Sequence, residues 1–235
     1  MRTNRPTNFT SSFRNFLLTT TFAAALSSVL GVSPTPSARN SDQVPNELRR
    51  LCEIGPQNSR LSTAERTEVK DIKEHLRNGD PQQVVSGFAE GIHNGKPNRE
   101  VPAYRKILPE LPAVKQEMLR RITAESNPVV KGGLINCMSY VKGADVIRAL
   151  MQELDDKRGA AVKGGPSQLR VCDEAFNVIY DRIAAVRELG FDFSSDMTDA
   201  IHPDVPVEGR DARIAKLKAA LVAKYGPDLK LPDGL

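Results

Sequence analysis

The sequence predicts an all-α protein built as a short stack of antiparallel helix pairs. Three observations lead there. First, one apolar helical stripe is written twice. Val130, Leu134, Met138 and Val141 in the first copy correspond to Val171, Ala175, Ile179 and Arg182 in the second, with Ile183 one step later. The offset is about forty residues, within the range of stacked helical arrays. Second, helix-start signals recur, with Asp80-Pro81 and Asn127-Pro128 each placing a capping side chain before a proline at the first helical position. Third, aromatic residues make up only 5% of the 235 residues and Trp is absent. A core of Leu, Ile, Val and Ala suits packed helices better than a β-sandwich. An irregular helical bundle is the alternative architecture with the same periodicities.

In chain order, residues 1–38 read as a signal peptide and spacer. Met1 to Arg14 is polar and basic, and Phe16 to Val32 is apolar with many small residues. Cleavage is expected between Ser27 and Ala38. The mature protein is then exported, periplasmic or secreted. An uncleaved N-terminal segment acting as a membrane anchor is the alternative, although the run is at the short end for about 30 Å of hydrocarbon. The remaining chain carries no second apolar run of spanning length, so no stable membrane insertion is expected after cleavage.

Residues 39–61 form an N-terminal helix and linker. Pro45 opens a helix with Leu48, Leu51 and Ile54 on one face, and Gly55-Pro56 ends it. Residues 62–235 form the helical repeat domain. Ser62 and Glu65 have capping-box spacing ahead of the stripe Val69, Ile72 and Leu76. After Asp80-Pro81, Val84, Val85, Phe88 and Ile92 face inward. Pro102, Pro109 and Pro112 break the next stretch, which leaves one or two turns between Tyr104 and Leu108. A helix from Pro112 buries Val114, Met118, Leu119 and Ile122. One from Asn127-Pro128 runs to Val141, and the next presents Val146, Ile147, Leu150 and Leu154. Residues 157–166 form a glycine-rich loop. A long helix is expected from about Ser167 to near Gly190, then irregular chain over 191–209. A terminal capping helix, Arg210 to Tyr225, uses Ile214, Leu217 and Leu221.

The repeated unit is helix, tight turn, helix, at about 62–94, 111–142 and 144–189, and only stacking completes the core of each pair. With its inner-helix starts Asn127-Pro128-Val129-Val130 and Leu169-Arg170-Val171-Cys172-Asp173, the chain resembles the HEAT-like and armadillo-type α-solenoids. The closing segment, GFDFSSDM followed by RDARIAKLKAAL, looks like the end of small exported bacterial proteins of this kind. The long glycine loop and the lack of a conventional proline inside the outer helices depart from the family pattern. The resemblance implies a protein-binding surface.

Charge narrows the partner. The formal net charge is +4, and Arg2, Arg5 and Arg14 supply three of those charges without any acid before residue 39. A nearly neutral mature domain lacks the basic footprint that nucleic acid requires. The expected partner is a protein.

No residues stand out as catalytic, cofactor-binding or metal-binding, and no cofactor is implied. The motif VKGG, at Val130–Gly133 and Val162–Gly165, lacks the strand and GxxxxGK[ST] context of a phosphate loop. Close helix approach explains the first copy better. His75, His93 and His202 lack metal-ligand spacing. Asp192, Asp196, Asp199 and Asp204 match no calcium-loop pattern. Among Cys52, Cys137 and Cys172, the last aligns with Lys131. That leaves an axial offset from Cys137 of about 9 Å at 1.5 Å per residue. Disulfides need Cα atoms within roughly 7 Å, so a Cys137–Cys172 bridge is not expected. Tyr104, Tyr140, Tyr180 and Tyr225 recur at near-repeat spacing, and core packing accounts for them better than a recognition ladder. Arg49-Arg50 and Arg120-Arg121 read as helix surface, with Glu117–Arg121 as an i, i+4 pair.

The expected function is an exported, non-catalytic binding or scaffolding module. The rival is a helical enzyme whose site forms from the 157–166 and 191–209 loops, and acids or histidines from both loops in one pocket would favour it.

Overall fold

Local capping chemistry divides most of the chain. In the computed structural model the described residues are 43–55, 60–95, 97–160, 169–183, 189–190 and 199–232. The expected signal peptide, the second VKGG, Asp192 and Asp196 lie outside them. Among the described residues the protein forms nine α-helices, two short 3-10 turns and one isolated β-bridge. None of these helices is long and apolar enough to cross a membrane.

Helix α1, Gln43–Ile54, buries Val44, Leu48, Leu51 and Ile54. α2, Thr63–Asn78, begins at the expected capping box, in which the Ser62 and Glu65 side chains each accept from the other's backbone N–H. α3, Pro81–Asn94, is capped by Asp80, which accepts from the Gln82 N–H at 3.1 Å. α5 spans Pro112–Ala124. α6, Pro128–Cys137, is capped by Asn127, which accepts from the Val129 N–H at 3.0 Å. A 3-10 turn over Met138–Tyr140 follows, so the expected single helix to Val141 tightens in its last turn. α7, Ala144–Glu153, starts after Gly143, whose φ of 135° suits glycine.

Three boundaries differ from expectation. α4 is a full helix, Pro97–Ile107, rather than one or two turns, and it carries Pro102 inside. The lost backbone bond is offset by burying Ala103, Tyr104 and Ile107, with Leu108 just beyond. α8 covers Val171–Arg182, starting after Leu169 and Arg170 of the helix expected from Ser167 to Gly190, whose residues 167–168 and 184–188 lie outside the described residues. Its start is held back because Ala160 N–H donates to Leu169 O and Val171 N–H to Arg158 O, which keeps the preceding chain extended. α9 spans Val207–Tyr225, so it begins three residues before Arg210 inside the stretch expected to be irregular.

Within the unit Arg39–Leu235, α1, α3, α6 and α8 form a row in which each helix packs on the next. α2, α5 and α7 make a second row, α4 lies against α1, α3 and α6, and α9 packs on α8. Both copies of the repeated stripe are buried. Val130, Leu134, Met138 and Val141 line one helix and its turn, and Val171, Ala175, Ile179 and Ile183 the other. α6 and α8 pack directly on each other.

Candidate functional site

Two surfaces gather polar chemistry. The first is a groove of about 580 Å³ between α1 and α3. Pro45, Asn46 and Arg49 form one wall, and Gln82, Gln83, Ser86 and Glu90 the other, with Asp80 at one end. The spacing 83, 86, 90 places those side chains on one face of α3, opposite Val84, Phe88 and Ile92. Gly87 sets how closely the walls approach. A Cβ there would lie 2.7 Å from Val44 Cγ1 and 3.1 Å from Leu48 Cδ1, so any larger residue would push the helices apart. The groove offers amides, a hydroxyl and charges of both signs.

The second surface lies where α4, α6 and α8 meet. The Arg105 guanidinium stacks over the Tyr140 ring, 5.0 Å from its centroid. The Glu174 carboxylate accepts from Asn136 Nδ2 at 2.9 Å. Burial pushes the Glu174 carboxyl up to about 7, while the Asn136 bond and the Arg105 charge oppose that rise. Burial likewise raises the Asp181 carboxyl and lowers the neighbouring Arg182 guanidinium.

Other buried charges serve architecture. Asp173, fully enclosed, accepts from the Arg170 guanidinium at 2.8 Å and from Arg210 Nη1 at 3.1 Å. Arg210 also donates to the carbonyls of Val205 and Pro203, which ties the chain before α9 to α8. Lys131 pairs with Glu153 at 2.8 Å, both side chains being nearly enclosed.

The motifs weighed from sequence resolve as follows. A Cβ on Gly132 would meet Ala160 Cβ at 2.5 Å, and one on Gly133 would meet Ile92 Cγ2 at 2.7 Å, so the first VKGG serves close packing. His75 Nδ1 pairs with Glu47, His93 with the Asn127 amide, and His202 is exposed. Among the described residues no group of three or more His, Cys, Asp or Glu is placed to hold a metal. All three cysteines are free, including Cys137 and Cys172. Burial pushes the Cys52 and Cys172 thiols up to about 12, and raises that of Cys137 as well. Tyr104 and Tyr180 are core residues, whereas Tyr140 is 50% exposed, so the tyrosines share no common face. Glu117 pairs with Arg120 rather than Arg121, which turns to Glu125.

Parts of both rival loops are described. Ala160 packs against α6, and Ile201 exchanges two 2.9 Å hydrogen bonds with the Asn177 side chain on α8. The carboxyls with raised pKa, Glu174 and Asp181, belong to α8 itself.

Sequence reasoning missed the buried ions, although a signal was present. Arg210 occupies the same stripe as Ile214, Leu217 and Leu221, and Asp173 falls among the apolar residues Val171, Cys172, Ala175 and Phe176. The chain matches no family model, no curated protein and no solved structure.

Proposed function

We propose that this protein is an exported, non-catalytic binding module whose rows of packed helices form a HEAT-like stack and whose partner is a protein. The observation that carries the reading is the α1–α3 groove. Hydrogen-bonding side chains at 83, 86 and 90 repeat at helical spacing along an open trough, a surface suited to the amide groups of an extended polypeptide. The row arrangement supports the repeat kinship, since α1, α3, α6 and α8 follow one another without interruption.

The test is affinity capture from the exported fraction, with the wild-type chain compared with Ser86→Arg. Arginine at 86 fills the trough, and circular dichroism checks that helicity is kept. A protein held by the wild type and released by Ser86→Arg is the expected result. Recovery of no macromolecule, together with turnover of a small molecule by the same material, overturns the reading.

A further inference from the structure

The chain contains the dipeptide Asn-Gly twice, at Asn78-Gly79 and Asn94-Gly95, each at the C-terminal end of a helix. Asparagine is a thermolabile residue. It is most labile before glycine, whose missing Cβ leaves the backbone nitrogen unshielded. The reaction needs that nitrogen, which must give up its proton and reach the asparagine Cγ. The two copies differ in what holds it. The Gly95 N–H donates to Gly91 O at 2.8 Å and closes the last turn of α3. The Gly79 N–H finds no acceptor within α2 or elsewhere among the described residues. The Asn78 side chain is exposed and makes no hydrogen bond among them either. Asn94 is exposed too, so exposure does not separate the copies.

Asn78 is the last residue of α2, so the peptide plane between it and Gly79 can turn without breaking a hydrogen bond of the Gly79 N–H. We propose that Asn78 is a site of spontaneous deamidation, and that Asn94, in the same dipeptide, resists it in the folded protein. The Gly79 nitrogen, its proton lost to solvent, bonds to Asn78 Cγ, and the Cγ–Nδ2 bond breaks to release ammonia. Water then opens the cyclic imide. Opening at Cγ leaves aspartate, and opening at the main-chain carbonyl leaves isoaspartate, with the chain running through the former side chain. No oxidant or reductant is consumed. Either product places a carboxylate at the C-terminal end of α2, where the helix dipole disfavours it. Isoaspartate also lengthens the short link of Gly79 and Asp80 between α2 and α3. That link carries Asp80, the cap of α3. The chemistry is independent of any partner in the α1–α3 groove.

The test is incubation of the full chain at neutral and mildly alkaline pH, followed by cleavage after glutamate. Glu90 lies between the two dipeptides, so each falls in its own fragment. Mass spectrometry reads the exchange of amide for carboxylate, and labelling by an isoaspartyl methyltransferase reads the rearranged product. Releasing one ordinary hydrogen bond slows a step by roughly fivefold, so Asn78 is expected to convert at least about fivefold faster than Asn94 in the folded chain. The rate should rise with pH, because the attacking nitrogen must be deprotonated. In guanidinium chloride the difference should vanish, since both dipeptides then have the same free backbone. Gly79→Ala shields the nitrogen, and the φ of −75° there is one that alanine adopts freely. It should slow conversion several-fold, with circular dichroism confirming that helicity is kept. Asn78→Gln should abolish the isoaspartate signal of that fragment. Conversion of Asn94 as fast as Asn78 in the folded chain would overturn the proposal. So would an intact Asn78 in the folded chain after the denatured chain has converted at that position.

Discussion

The first three helices and the last two solve the packing problem in different ways. α1 to α3 bury apolar stripes and pair their charged groups at or just below the surface, as in the exposed Arg50–Glu68 pair and the half-buried Glu47–His75 pair. Their ends are set by their own neighbours in sequence, such as Ser62 with Glu65. α8 and α9 bury apolar stripes too, but they also meet through ions. Asp173 lies wholly inside, between Arg170 and Arg210, and Asp211 extends the chain of charges to Arg170 and Lys157. The difference shows what irregular connections require. Short turns join α2 to α3, so apolar stripes suffice to align them. The chain before α9 buries Ala200 and Ile201, and Arg210 adds a polar anchor by donating to the Val205 and Pro203 carbonyls. Removing one partner of a buried pair costs far more than the pair contributes, so this region concentrates vulnerability in a few residues.

The sharpest way to break the comparison is Asp173→Ala, which leaves Arg170 and Arg210 enclosed without their carboxylate. A loss of about 3–5 kcal/mol is expected, read as a lower urea midpoint. A change below about 1 kcal/mol would mean that the ions are not what joins α8 to α9.

A second effect is electrostatic and pH-dependent. The Glu174 carboxyl is raised to about 7 in the fold, above its ordinary value in an unfolded chain. A raised carboxyl binds its proton more tightly when folded. Its contribution is therefore fully present below the unfolded value and is lost as pH rises through the folded one. Stability should fall between about pH 4.5 and pH 7 by roughly 1–3 kcal/mol, with the half-buried position of the residue keeping it toward the lower end. Glu174→Gln should flatten that slope and raise the melting temperature at pH 8. A slope unchanged in the variant would assign the effect to another group.

The smallest expected effect lies in the first region. Ser62→Ala removes one arm of the capping box on an exposed helix end, at a cost of about 1 kcal/mol. Hydrogen exchange should speed up in the first turn of α2 and stay unchanged at Asp173. Spread of the effect to α8 would show that the two regions are coupled more strongly than their separate packing suggests.

Legibility followed the distance over which each feature is determined. The stripes Val69-Ile72-Leu76, Val84-Phe88-Ile92 and Ile214-Leu217-Leu221 were readable because helical periodicity is a property of neighbouring residues. The caps at Ser62, Asp80 and Asn127 were readable for the same reason. The length of α4 was not, because its prolines argue locally against a helix that burial of Tyr104 and Ile107 then supports. The candidate site was less visible still. Arg105 and Glu174 each look like ordinary helix-surface residues, and no spacing links them.

The sequence by itself determined that the protein is helical, which face of most helices turns inward, and where most of them begin. These follow from periodicity and from capping within three or four residues. Tertiary structure alone decided that Arg210 reaches Asp173 across 37 positions, that Tyr104 and Tyr180 enter the core while Tyr140 stays out, and that Arg105 rests on an aromatic ring instead of a carboxylate. A charge or an aromatic ring can be stable in several settings, and only the side chains folded against it select one.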